Sequence, residues 1–199
     1  MTIPAFCHQC GTKYHNNEWP RECQNCGHQV WKNPIPVACI LQPMTDGNRI
    51  GLLILKRAIE PHLGGWSLPG GFMDDIGENA EQGAMRELYE ETGIQLDIEP
   101  SIVNSVATGR GQVLFMCESN QILTYNPNTI KLCAENSDFR VAWEPEDLAF
   151  PIHREAMRQW FHRKERNERF ITRSAAGITV TGSGSGPNLL EEWSKRFEK

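Results

Sequence analysis

Apolar residues fall in short blocks along the middle of the chain. Residues 37–44 (VACILQPM) and 49–59 (RIGLLILKRAI) read as two strands. The turn TDGN at 45–48 joins them, with Asp, Gly and Asn favouring reversal. A Gly/Pro-rich loop follows over 64–77, then a helix over 78–92 (ENAEQGAMRELYEET). Ala80, Ala84 and Leu88 recur every four residues and form the apolar stripe of that helix. Gly93 suits the position just past its end, where a left-handed residue closes a helix. Further strands are expected at 102–108, 112–119 and 139–145, and a last helix at 152–164. Many strands, few helices and no regular strand–helix alternation predict an α+β architecture. No internal repeat is visible.

Three regions emerge. Residues 1–33 are rich in Cys, His, Asn and Gly and poor in aliphatics, so they cannot build a core of their own. Residues 34–163 carry the strand and helix signals. Residues 164–199 form a C-terminal extension with a Gly/Ser-rich stretch, closed by the short amphipathic LLEEWSKRF.

Composition changes this picture little. The 199 residues are 39% hydrophobic and 23% charged, which is ordinary for a globular chain. A net charge of −5 gives no general attraction for nucleic acid or an anionic membrane. The apolar runs are far too short to span a bilayer. The N-terminus lacks a charged stretch followed by an apolar one, so a cytoplasmic location is expected. In a reducing compartment the seven cysteines would not form disulfides. Cys39, Cys117 and Cys133 lie among apolar residues and read as small buried hydrophobes.

The other four cysteines form two C-x-x-C-G turns, Cys7–Cys10 and Cys23–Cys26, with twelve residues between Cys10 and Cys23. Each turn aims two thiolates at one point. Two such turns supply a tetrahedral zinc site, the staple that a segment so poor in aliphatics needs. His8 and His28 flank the turns as further possible ligands, but four thiolates suffice. The module reads as structural. Lys13, Arg21 and Lys32 are too few, against Glu18 and Glu22, for a phosphate-binding surface.

Glu87, Glu90 and Glu91 crowd one and a half turns of the first helix, where like charges repel. A solvated acidic face would intersperse lysines. The helix has none, and Arg86 is its one cation, placed to reach Glu90 one turn away. Carboxylates so short of counter-ions suit a hard divalent cation such as Mg²⁺ or Mn²⁺. Gly70 and Gly71 in the preceding loop allow close backbone approach.

Residues 70–94, GGFMDDIGENAEQGAMRELYEETGI, resemble the Nudix box G-x5-E-x7-R-E-U-x-E-E-x-G-U, with U aliphatic. The matching positions are Gly71, Glu78, Arg86, Glu87, Leu88, Glu90, Glu91, Gly93 and Ile94. One departure lies in the loop, where six residues rather than five separate Gly71 from Glu78. A four-cysteine ribbon followed by such a domain is similar to the zinc-ribbon branch of that family, and the similarity runs over roughly residues 5–163.

The resemblance implies a Nudix fold, a mixed sheet between helices in an α/β/α sandwich. It implies Mg²⁺- or Mn²⁺-dependent hydrolysis of a nucleoside diphosphate linked to another moiety. Magnesium would be held by Gly71, Glu87, Glu90 and Glu91, with Arg86 orienting the carboxylates and Glu135 as ligand or general base. Arg57, Trp66, Phe72, Arg110 and Gln112 are the expected substrate contacts. NADH pyrophosphatases of this branch carry an S-Q-P-W-P-F-P-x-S signature after the box, and this chain has none there. The expected substrate is therefore of the FAD or ADP-ribose type, with NADH or NAD⁺ as the alternative. A non-catalytic nucleotide sensor is the competing class. So acidic a chain argues against RNA as a partner, and the family resemblance implies a homodimer.

Overall fold

The computed structural model describes residues 5–15, 18–74, 77–108 and 111–165, and the backbone of 170–174 and 177–181. In the N-terminal module, β1 (Arg21–Glu22) pairs antiparallel with β2 (Gln29–Val30), and a bridge joins Phe6 to Lys13. The main body holds two sheets. In one, β7 (Gly70–Phe72), β3 (Ile35–Leu41), β9 (Gln112–Glu118) and β8 (Ser101–Thr108) lie in that order. In the other, β11 (Asn136–Ala142), β5 (Ile50–Arg57), β4 (Pro43–Thr45) and β10 (Gln121–Thr124) are neighbours, with β6 (Trp66–Ser67) beside β5. Both sheets are mixed: β3 runs parallel to β9 and antiparallel to β7, and β10 runs parallel to β4.

Alternation along the strands places the two helices. Ala38 and Ile40 of β3, Leu53 and Leu55 of β5, and Cys117 of β9 pack with Ala80, Ala84 and Leu88 of α1 (Ala80–Thr92). The intervening Cys39, Leu41, Leu52, Ile54 and Met116 pack with Met157, Trp160 and Phe161 of α2 (Pro151–Glu165). Successive side chains point to opposite faces, so strands covered on both faces read as unbroken apolar runs. The result is an α/β/α sandwich.

β3 and β4 form one nearly continuous strand that leaves the first sheet and enters the second. Gln42 sits at the crossing, fully buried, and its Nε2 donates to the carbonyls of Pro43 (2.8 Å) and Gln121 (3.0 Å). Nearby, the Gln121 side-chain oxygen accepts from the amides of Asp97 (2.9 Å) and Ile98 (3.0 Å).

α1 is bounded by its own sequence. The Asn79 side chain accepts from the Gln82 amide (2.7 Å), and the Gln82 side chain accepts from the Asn79 amide (3.1 Å), a capping box. Gly93 ends the helix at φ 71°, its N–H donating to the Tyr89 carbonyl.

Three elements escape the apolar pattern. β10 is four residues long, and β6 and β7 lie inside the Gly/Pro loop. Within the C-terminal extension, β12 (Phe170–Ser174) and β13 (Gly177–Thr181) form a hairpin that adds to the second sheet beside β10. The closing LLEEWSKRF lies outside the described residues. Among the described residues no helix is long and apolar enough to cross a membrane.

Leu88 is fully buried and joins α1 to the sheets. Leu88→Ala should cost about 2–5 kcal/mol, the usual range for a leucine deleted from a core. The check is a lower denaturant midpoint with an unchanged slope.

Candidate active site

β7 and α1 bring the acidic cluster against the glycine loop. Gly71 lies so close to Glu87 that a Cβ there would sit 2.6–2.7 Å from its carboxylate atoms. A side chain at this position would displace the glutamate. The N–H of Gly70 donates to Glu91 Oε2 (2.8 Å). The loop is itself anchored to the strands, because the Ile40 amide donates to the Pro69 carbonyl (2.9 Å). From α2, His153 Nδ1 accepts from the Leu68 amide (3.2 Å), while its Nε2 meets Cys39 Sγ (3.4 Å). Burial pushes His153 down to about 3, so the imidazole is neutral and can accept.

Arg86 knits the cluster. Its Nε and Nη2 bind both oxygens of Glu78 at 3.1 Å. Nη1 binds Glu87 (2.8 Å) and Glu90 (3.1 Å), and Nη2 also reaches the Phe72 carbonyl (2.8 Å) and Asp74 (3.3 Å). The extra residue in the loop therefore disturbs neither anchor. Gly71 meets Glu87, and Glu78 meets Arg86.

Glu91 is treated differently. It is buried, with Oε1 accepting from Asn136 Nδ2 (2.9 Å) and Oε2 from Gly70. Desolvation raises it to about 7, against the pull of the Asn136 and Gly70 donors, and the charges of Glu87 and Glu135 push the same way. Glu87 is also raised, by desolvation first, although Arg86 opposes this. Glu90 is more exposed, at 55% for its side chain. The trio thus offers an outer, an intermediate and a buried carboxylate to one side of the helix.

The other expected residues scatter. Glu135 precedes β11, close enough for its charge to act on Glu91, and its carbonyl accepts from the Ala58 amide. Phe72 exposes its ring beside the cluster. Arg57 is engaged elsewhere: its Nε donates to the Pro61 carbonyl (2.7 Å) and its guanidinium lies over the Phe150 ring. Trp66 packs on the α2 side of the sheet, with Arg140 4.5 Å and Lys56 5.9 Å from its ring centre. Gln112 opens β9, half-buried, and Arg110 lies outside the described residues. Asn136 was not among the expected residues. Asparagine is common in loops, and the strand was expected to begin only at 139, whereas β11 begins at Asn136 itself.

The cysteine cluster is separate. The four sulfurs lie within 4.8 Å of one another, with Cys7–Cys26 at 3.8 Å and Cys10–Cys23 at 3.5 Å. A tetrahedron of sulfurs about 2.3 Å from a zinc ion has edges of about 3.8 Å. Thr12, by hydroxyl and then amide, draws the Cys10 thiol down to about 5. Cys26, although the His28 backbone favours its thiolate, is pushed up to about 12 by desolvation and its sulfur neighbours. Thiols so close cannot all ionise without a cation among them, so the donor set fits a metal ion. His8 and His28 stack edge to face beside it (4.5 Å) and are not part of this ligand set.

The Glu91 shift sets a pH dependence. Its folded value lies above the ordinary value of 4.5, so the native state binds the proton more tightly. The contribution of Glu91 to stability is then fully present below about 4.5 and is lost as pH rises to about 7. In metal-free protein, the stability of the wild type relative to Glu91→Gln should fall by about 3 kcal/mol between pH 4.5 and 8. Denaturant unfolding of both proteins across that range measures this, and added Mg²⁺ should recover the loss in the wild type alone.

Comparison with known proteins bears on this geometry. The family model described as the NUDIX domain matches residues 33–164. The NAD-capped RNA hydrolase NudC of Haemophilus influenzae (strain PittGG) is 36% identical over 95 residues, and that of Pasteurella multocida (strain Pm70) 38% over 96. Each alignment covers 46% of this chain and 34% of the relative, so the chain spans about a third of the length of these curated relatives. Among solved structures, a NUDIX hydrolase from Nitrosomonas europaea superposes with a TM-score of 0.66 at 24% identity, over 81% of this chain and 93% of that one. The NUDIX domain of Shewanella oneidensis NrtR, complexed with ADP ribose, gives 0.57 at 24% identity, over 67% and 90%. These two likenesses speak for the fold alone. The family model spans well over half of the sequence and includes the whole carboxylate helix and its loop, and the chain belongs to the Nudix family.

Proposed function

We propose that this chain is a Mg²⁺- or Mn²⁺-dependent pyrophosphohydrolase. It cleaves the pyrophosphate of a dinucleotide and releases a nucleoside monophosphate. The observation that carries this reading is the complete carboxylate set on α1, knit by Arg86 and closed by the Gly70–Gly71 loop. The favoured substrate is of the NAD(H) type. The missing Ser-Gln-Pro-Trp signature points instead to FAD or ADP-ribose, but the relatives at 36–38% identity are named for NAD-capped RNA, and whole-segment similarity outweighs one absent motif. The net charge of −5 favours the dinucleotide itself over an RNA body as the recognised part.

Glu87, Glu90 and Glu91, with the Gly71 carbonyl, are the groups that would hold the divalent cation. When bound, that cation supplies Lewis-acid polarisation of the phosphoryl oxygens and acidifies the attacking water. Arg86 fixes Glu87 and Glu90 in register and keeps their mutual repulsion from splaying the helix face. Glu135 receives the proton of the attacking water on its carboxylate as the new P–O bond forms and the bridging P–O bond breaks. The exposed Phe72 ring offers a stacking surface for one end of the substrate. Arg57 and Trp66 serve the fold rather than the substrate in this reading, because their neighbours already occupy them. The cysteine cluster holds a structural Zn²⁺, and the exposed apolar edge of β8, with Ile102 and Val103, is available to a homodimer contact.

A Mg²⁺- and Mn²⁺-dependent hydrolysis screen over NADH, NAD⁺, FAD, ADP-ribose and an NAD-capped oligonucleotide tests the reading. Release of monophosphate should be greatest from NADH or NAD⁺. Glu90→Gln should lower turnover by at least 100-fold with an unchanged melting temperature. A wild type that binds these compounds but hydrolyses none is a sensor instead. The metal assignment has its own check: one equivalent of Zn²⁺ per chain by elemental analysis, released by a thiol-specific mercurial and halved or lost in Cys10→Ser.

A further inference from the structure

We infer that Asn136 is a positioning residue for Glu91, setting the orientation in which that carboxylate meets a divalent cation. The inference rests on the proposed role of Glu91 as a ligand. Glu91 receives one neutral donor on each oxygen, Asn136 Nδ2 on Oε1 (2.9 Å) and the Gly70 N–H on Oε2 (2.8 Å). The two donors come from different elements, β11 and β7, so together they fix both the tilt and the rotation of the carboxylate. A lysine or arginine in place of Asn136 would also hold Glu91, but it would cancel the charge that a cation needs. An amide holds the group and leaves its charge intact.

The backbone delivers Asn136 to this point. The segment before β11 hangs from the last turn of α1, with the Lys131 amide donating to the Thr92 carbonyl (2.8 Å) and the Cys133 amide to the Glu91 carbonyl (3.4 Å). The Asn136 amide then donates to the Cys133 carbonyl (3.3 Å). The pairing of β11 with β5 shifts register between Asn136 and Asp138. Such irregularities re-aim a side chain and occur beside active sites. Asn136 is itself buried, and the same Nδ2 also meets Cys133 Sγ (3.7 Å). Outer partners of metal ligands commonly change metal affinity or activity by about 10–100-fold when removed.

The test uses the full zinc-loaded chain and Mn²⁺ as probe, with free Mn²⁺ read by electron paramagnetic resonance. Asn136→Leu keeps the volume and removes the donor. Asn136→Ser is smaller and polar, and its hydroxyl falls short of Glu91, so it serves if the leucine variant does not fold. Mn²⁺ affinity should fall at least tenfold in the folded variant, and kcat should fall with KM within twofold. Ser137→Ala, on the exposed neighbouring position, should leave both unchanged. Mn²⁺ affinity within twofold of wild type in a folded Asn136 variant overturns the inference, as does a wild type that binds no Mn²⁺. A wild type that binds Mn²⁺ but hydrolyses nothing defeats the proposed activity alone, and the Mn²⁺ titrations still decide the role of Asn136.

Discussion

The loop and the outer carboxylates of the acidic face depend on the guanidinium of Arg86. Three glutamates within one and a half turns would push the helix face apart, and a fourth carboxylate, Glu78, arrives from the loop. Arg86 meets Glu78 with two parallel bonds and divides its remaining nitrogen contacts among Glu87, Glu90 and the Phe72 carbonyl. A planar fork with five N–H donors can do this, whereas the three donors of a lysine ammonium radiate from a single nitrogen and cannot pair with both Glu78 oxygens in parallel while reaching the others. The same residue therefore ties the loop to the helix and holds Glu78, Glu87 and Glu90 together.

Glu91 lies outside that network, and its environment explains why it differs. Its neighbours are an amide and a backbone N–H, which orient it without neutralising it. Burial then favours the protonated form in the absence of a cation. Behind it, the loop that supplies the backbone donor is pinned by β3 on one side and by His153 of α2 on the other. Both layers of the sandwich thus contribute to holding one carboxylate.

Much of this was legible in the sequence, for identifiable reasons. The buried strands announced themselves as apolar runs because helices cover both of their faces. The stripe Ala80, Ala84, Leu88 and the terminal Gly93 located α1 closely. The glutamates stood out because no lysines accompany them. Less legible were contacts made by polar residues across long separations. Asn136 and His153 reach their partners from 45 and 85 residues away, and nothing in their local sequence marks them. Arg57 and Trp66 have types that suit a substrate, and in the fold a carbonyl accepts from Arg57 while two cations lie by the ring of Trp66. The hairpin in the C-terminal extension directly precedes a Gly/Ser-rich run whose composition suggests a linker.

The strand that passes from one sheet to the other at Gln42 has a consequence for how the molecule comes apart. β3 belongs to the sheet that carries the glycine loop, and β4 belongs to the sheet that carries β11. Because one run of backbone serves both, neither sheet can open without pulling on the other, and the fully buried Gln42 amide locks the junction. The two sheets should behave as a single cooperative block in amide hydrogen exchange, with the slowest-exchanging protons shared between them rather than confined to either one.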